Sequence, residues 1–345
     1  ARDRVSINVP DCYADPGFNP EIDRRTGFRT RCSLTLPLTD HDQRLVGVMQ
    51  VLNKAGGPFD AADQALAEAL AAQCAVALAR VRMTEAILAN ERMRHELEIA
   101  SQVQRNTLPQ TLPQVAGYDM HAVFKPALQT GGDTYDLTLV SRDLLVVLAD
   151  ASGHGIGPAL LVTQMQAMLR MALRLGATLE TAFRQVNDQL ALTLRDGHFV
   201  NAFVGLLDAS AHRLRFLSGG QGPILHWQAA RNECTAYRAT SFPMGAMAIV
   251  ALRPAVELRF EPGDWLLLLS DGLYEYENAA GRPFGRARVE EALRAAHHGT
   301  PAALAEQLMQ AVHAHAAGAA QEDDITLVLL KRSGMARSGH TGAAE

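Results

Sequence analysis

Acidic residues stand at the ends of apolar runs at four places in this sequence. Asp133 closes Thr130-Gly131-Gly132-Asp133. Asp150 follows the apolar run 144–149 and opens Asp150-Ala151-Ser152-Gly153-His154-Gly155. Asp271 follows the run 265–269 within Ser270-Asp271-Gly272, and Asp323 and Asp324 precede the run 325–330. One Asp-Gly pair at a strand end is ordinarily a turn. Four such ends, two of them in matching register, point to chemistry instead. With Ser141-Arg142 at the tip of a hairpin, Asp133 falls directly opposite Asp150 on the neighbouring strand. Two carboxylates that close repel unless one is protonated or a cation lies between them. An all-oxygen ligand set selects Mg²⁺, Mn²⁺ or Ca²⁺ over zinc. Asp271 and Asp323 bring enough further charge for two ions. Two hard cations sharing a water lower its pKa and clamp a phosphoryl group for in-line attack. The flanking glycines let backbone approach closely and leave room for a phosphate.

The elements that must hold these carboxylates are short strands and paired helices. Strands are expected at 118–124, 135–140, 144–149, 200–207, 213–217, 224–227, 256–260, 265–269 and 325–330. Helices are expected at 158–175, 179–194, 287–296 and 301–315. Runs of strands separated by helix pairs predict an α+β sandwich. Upstream, residues 61–107 contain neither Gly nor Pro and are rich in strong helix formers. They read as one long helix or two nearly continuous ones, with Asp60 or Asp63 as the N-terminal cap. Apolar residues recur at Leu66, Leu70, Ala77, Val81 and Leu88, and the stripe slips register near Asn90. About 45 residues of helix would reach ~70 Å, more than one small domain can cover, so a parallel coiled-coil stalk competes with a helix packed on its own domain. Pro109 and Pro113 end it. Before it, the clear strand is 45–52.

Composition narrows the partners. The chain has 345 residues, a net charge of −5 and 48% hydrophobic residues. Nothing in that charge favours nucleic acid or an anionic membrane. The unbroken apolar runs are too short to span a bilayer, and the opening residues do not form a secretory signal. The four cysteines, Cys12, Cys32, Cys74 and Cys234, lie in no metal-binding spacing and suit a reducing cytoplasm.

Taken together, Gly-Gly-Asp-Thr-Tyr-Asp at 131–136, Asp-Ala-Ser-Gly-His-Gly at 150–155, Ser270-Asp271-Gly272 and Asp323-Asp324-Ile325-Thr326 resemble the metal-dependent protein serine/threonine phosphatases of the SpoIIE/RsbU branch. The lead-in at 98–104 and Leu108-Pro109 extend the resemblance to about 99–331. It implies a four-layer α/β/β/α sandwich, a centre of two ions, Mn²⁺ or Mg²⁺, and hydrolysis of phosphoserine or phosphothreonine on a regulatory protein of the anti-sigma-factor-antagonist type. It further implies that Asp150 bridges both metals, with Ala151 giving its carbonyl. Asp271 and Asp323 hold the second metal and Asp133 lies at the first, Asp150 and Asp271 being central to catalysis. Asp324 supports from behind. Gly131, Gly132, Ser152, Gly153, His154 and Gly272 shape the approach. His154 stands where a general acid, a phosphate-facing group or a plain surface residue would fit. Ser218-Gly219-Gly220-Gln221 departs from the Asn-Ala-Gly-His found in many relatives, and Gln221 cannot act as a titrating acid.

The first zone resembles the C-terminal half of a GAF domain. The resemblance is carried by Cys12-Tyr13-Ala14-Asp15, Thr26-Gly27-Phe28-Arg29-Thr30 and the Asn53-Lys54, Phe59, Asp63 pattern, with Gln64 where Glu is usual. The chain is thus expected to begin inside that domain, and 1–55 to be poorly ordered alone or to pair with a partner. The expected division is a partial GAF domain at 1–80, a helical linker at 81–113, the phosphatase domain at 114–333 and a disordered tail at 334–345. A homodimer through the linker and a small-molecule ligand at a complete GAF domain follow from the same resemblance. The competing readings are a non-catalytic pseudophosphatase scaffold and a GAF-type ligand-sensing module.

Overall fold

The structure, a computed structural model, describes residues 4–194 and 197–333. The tail expected at 334–345 lies outside these. The chain divides into two compact units, Ala1–His95 and Glu96–Glu345.

In the first unit, β1 (Ile7–Val9), α1 (Glu21–Thr26), β2 (Ser33–Thr39) and β3 (Leu45–Leu52) lead into α2 (Ala61–Thr107). The three strands form an antiparallel sheet in the order β1-β2-β3. Leu34, Leu36, Leu38 and Val46 pack on Ala71 and Ala75 of α2. Among the described residues β3 has no strand on its far side, and Leu45, Val48 and Leu52 are exposed. Leu34, Leu36, Leu38 and Val46 nonetheless contribute to a small packed core. β2 escapes the sequence reading because Pro37 interrupts an otherwise alternating strand. Asp60 caps α2 by accepting from the backbone N–H of Ala62 and Asp63. The Asn53-Lys54…Asp63 pattern is structural: Asn53 accepts from the Arg31 N–H, and Lys54 donates to Asp60 and Asp63.

α2 is one continuous helix. It contains an 18-residue window of mean hydropathy 1.2, apolar enough by length and composition to cross a membrane. Alanine supplies much of that apolarity. Its longest run free of Asp, Glu, Lys and Arg lies between Glu68 and Arg80 and would rise only about 16 Å, against a hydrocarbon core of ~30 Å.

The second unit takes in the end of α2 and then β4 (Tyr118–Lys125), β5 (Asp133–Val140), β6 (Asp143–Ala151), α3 (Ile156–Arg174), α4 (Leu179–Thr193), β7 (Val200–Asp208), β8 (Arg213–Gly219), β9 (Ile224–Gln228), β10 (Glu233–Tyr237), β11 (Val256–Arg259), β12 (Trp265–Leu269), α5 (Asp271–Tyr274), α6 (Arg286–Ala296), α7 (Pro301–Ala316) and β13 (Ile325–Arg332). Two five-stranded antiparallel sheets form, β10-β9-β12-β13-β4 and β11-β8-β7-β6-β5. Period-two alternation sorts their side chains. Leu137, Leu144, Val146 and Leu148 meet Leu266, Leu268, Val328 and Leu330 between the sheets. Leu145, Val147 and Ala149 face α3 and α4, and Leu267, Leu269, Leu327 and Leu329 face α6 and α7. The result is the expected four-layer α/β/β/α sandwich. β10, a short polar edge strand, and α5, one turn following β12, carry too little periodicity to be read from sequence.

Candidate metal and phosphoryl site

The hairpin register is the one the sequence demands: Asp133 pairs with Asp150 across β5 and β6. Alternation then decides where these side chains point. Asp133 shares its strand face with Tyr135 and Leu137, and Asp150 shares its face with Leu144, Val146 and Leu148, all of them in the layer between the sheets. Both carboxylates therefore face that layer, at its open end. From the other sheet, Thr326 points into the same layer and its hydroxyl donates to Asp133 Oδ2 at 2.5 Å. Ser270 bridges β12 to β13: its hydroxyl donates to the Asp324 carbonyl and accepts from the Thr326 N–H.

Asp133 is 2% exposed. Burial first, and the Asp150 charge second, push its carboxyl well above the usual carboxylate range, against the Thr326 bond. Asp150 is pushed up to about 7, by burial and then by Asp271 and Asp323, while a bond from Asn201 opposes the rise. Asp271 is raised by burial and then by Asp323 and Glu275. The four aspartates thus form one electrostatic group. Asp271 and Asp323 line a cleft of about 580 Å³ with Gly272, Glu275, Glu277 and Glu322. Among the described residues no three His, Cys, Asp or Glu side chains close around a single point.

Asp324 lies behind this group. It is buried, and its carboxylate accepts from the N–H of Ala127 at 2.8 Å and of Asp133 at 3.3 Å. Two glycines are fixed by close approach. A Cβ on Gly132 would stand 2.8 Å from the Ala151 carbonyl oxygen, and one on Gly272 would stand 2.0 Å from the Asp324 carbonyl oxygen. The Ala151 N–H donates to the Gly132 carbonyl. Gly131 is held against the Asp324 carboxylate. The Ser152 hydroxyl accepts from the Phe199 N–H. Gly153 and His154 are exposed in the loop before α3. Gln221 is buried and donates to the Leu269 carbonyl, which anchors the strand end that precedes Asp271.

Three contributors have no role in the sequence reading. Asn201 sits opposite Asp150 on β7, and the two helices between β6 and β7 hide that register from any hairpin argument. Thr326 could have been found by alternation, since it follows Ile325, which faces the helices. Gln104, near the end of α2, exchanges bonds with the Gly131 N–H and carbonyl at 3.1 and 2.7 Å. Beside it, the Thr107 carbonyl accepts from Gln166 and Arg170 of α3. Arg170 also pairs in bidentate fashion with Asp136, which is 0% exposed. One polar network therefore links the end of α2, the loop before Asp133, and α3.

The all-oxygen donor set, the lifted carboxyls and the glycine approaches fit hard divalent cations. Comparison with known proteins agrees with the fold and the motifs. The chain is similar to the protein IcfG of Synechocystis, 27% identical over 271 residues, covering 70% of this chain and 42% of IcfG. It therefore spans less than half the length of that relative. It is 23% identical over 247 residues to the phosphoserine phosphatase RsbU of Bacillus subtilis, covering 70% of this chain and 71% of RsbU. Among solved structures, the SiaA-PP2C domain of Pseudomonas aeruginosa shares the fold at a TM-score of 0.61 and 21% identity, covering 71% of this chain and 98% of that one. The PP2C domain of Bacillus subtilis SpoIIE with a fragment of its regulatory domain does so at 0.55 and 19%, covering 64% of each chain. The GAF domain family matches residues 1–78, and the Stage II sporulation protein E (SpoIIE) family matches residues 141–333. This chain belongs to the SpoIIE family, with a SpoIIE-type PP2C phosphatase domain that follows a GAF domain.

Proposed function

We propose that this chain hydrolyses phosphoserine or phosphothreonine on a regulatory protein, of the anti-sigma-factor-antagonist type, at the Asp133, Asp150, Asp271 and Asp323 group. The observation that carries the reading is the β5–β6 register that sets Asp133 opposite Asp150, with the Asp271 and Asp323 charges acting on Asp150. Asp150 and Asp271 are the central pair, and Asp133, Asp323 and the Ala151 carbonyl complete the ligand set. Two Mn²⁺ or Mg²⁺ ions bound there would lower the pKa of a water and neutralise the phosphoryl group. The chain's own part is positioning. Thr326 orients Asp133, Asn201 orients Asp150, and Asp324 holds the loop before Asp133 through backbone N–H groups. Gly132 and Gly272 keep side chains out of the approach.

We divide the chain as a partial GAF domain at 1–80, a helical linker at 81–113 and a phosphatase domain at 114–333. The linker is read as the control element of a cytoplasmic homodimer, with a small-molecule ligand at a complete GAF domain as the input. Support for control comes from the Gln104 and Thr107 bonds to the loop before Asp133 and to α3. The test is hydrolysis of p-nitrophenyl phosphate with millimolar Mn²⁺. Activity abolished by EDTA, and lowered by two or more orders of magnitude in Asp150→Asn and Asp271→Asn, is expected. Wild-type turnover no higher than that of these variants would leave the scaffold reading in its place.

A further inference from the structure

Between β10 and β11 the chain runs through 238–255 without regular structure. Loops of this length inside a compact unit are uncommon and usually carry function. Its backbone is pinned. The Ser241 N–H donates to the Ser218 carbonyl, and Met244 exchanges both backbone bonds with Val200. The Gly245 N–H donates to Asn187 Oδ1, Asn187 Nδ2 donates to the Met247 carbonyl, and the Ile249 N–H donates to Asp188. Yet this tethered loop turns apolar side chains outward: Phe242 is 67% exposed, Met247 53% and Val250 98%. A loop held in place by its backbone has already lost the entropy that a flexible one would lose on binding.

The loop also reaches the end of β7 that pairs with Asp150. A Cβ on Gly220 would stand 2.2 Å from Asn201 Oδ1 and 2.7 Å from Pro243 Cγ. Pro243, next to Phe242, and Asn201, the β7 partner of Asp150, therefore both pack against Gly220. Another flank of the site is acidic, with Glu275, Glu277 and Glu322 lining the cleft that holds Asp271 and Asp323.

We propose that Phe242 is a specificity-determining residue. It docks an apolar side chain close to the phosphorylated residue of the protein substrate, with Met247 and Val250 extending the surface. This inference rests on the phosphatase reading above. The occupant follows from continuity with the site. Once a phosphoryl group sits at the carboxylates, extended chain advancing ~3.3 Å per residue passes the neighbouring loop within a few positions.

The test measures kcat/KM, with Mn²⁺, for two sets of phosphoserine heptapeptides flanked by leucine or by serine. Acetyl-phosphoserine amide serves as a minimal substrate. The wild-type chain is expected to favour the leucine set about tenfold, mainly through KM. Phe242→Ala should bring that ratio close to one, and Phe242→Leu should keep most of it. No preference in the wild type, or an unchanged ratio in Phe242→Ala, overturns the proposal. Absence of any wild-type hydrolysis of the minimal substrate would remove the phosphatase reading and this inference with it. Hydrolysis without the preference removes this inference alone.

Discussion

Asp150 carries the clearest consequence of a carboxylate held among others. Burial and the Asp271 and Asp323 charges lift it to about 7, from an ordinary value of 3.8. In metal-free protein the folded chain thus binds a proton that the unfolded chain releases, so this stability is full below about pH 4 and is lost as pH rises towards 7. The loss is on the order of 2–4 kcal/mol, and Asp133 adds to it in the same direction. Denaturant unfolding in EDTA at pH 5 and pH 7.5 should show the drop, with a smaller one in Asp150→Asn; equal drops would refute it. Gly272 supplies a second expectation. A methyl group there meets the Asp324 carbonyl oxygen, so Gly272→Ala should cost about 2–3 kcal/mol of stability and lower metal-dependent turnover. Unfolding curves within experimental error of wild type would count against the close approach.

Among the elements, α3 is tied most closely to the site. It hangs from the loop after Asp150, and Arg170 neutralises a fully buried Asp136 while reaching the last turn of α2. Removing one partner of such a pair leaves an uncompensated buried charge. Arg170→Ala should therefore destabilise by about 3–5 kcal/mol, whereas Asp136→Leu combined with Arg170→Met should recover most of the loss. Chemical denaturation of the single and double variants decides between these outcomes. The sequence shows α3 by its length and periodicity, but Arg170 looks like any helix-surface arginine until the fold sets it above Asp136.

For the whole molecule, the exposed apolar residues of α2 bear on assembly. Leu66, Leu70, Val81 and Leu88 are all about half exposed or more, and a second copy is the partner a coiled-coil stripe would choose. Light scattering should report a dimer for the wild-type chain and a monomer for Val81→Glu with Leu88→Glu. If the linker controls the site, a fragment beginning near Thr111 should turn over p-nitrophenyl phosphate at a rate several-fold different from the full chain. Equal rates would defeat that control.

The sequence by itself determined whatever depends on local periodicity and on short-range pairing. The long helix ends where proline removes its hydrogen bonds. The strands alternate, and a two-residue hairpin tip is enough to place Asp133 against Asp150. The family motifs added the four-layer architecture. Only the tertiary structure decided which distant groups meet: Asn201 with Asp150, Thr326 with Asp133, and Gln104 with the Gly131 backbone. Those meetings depend on how two sheets stack and on where a helix end docks, and no local pattern encodes either.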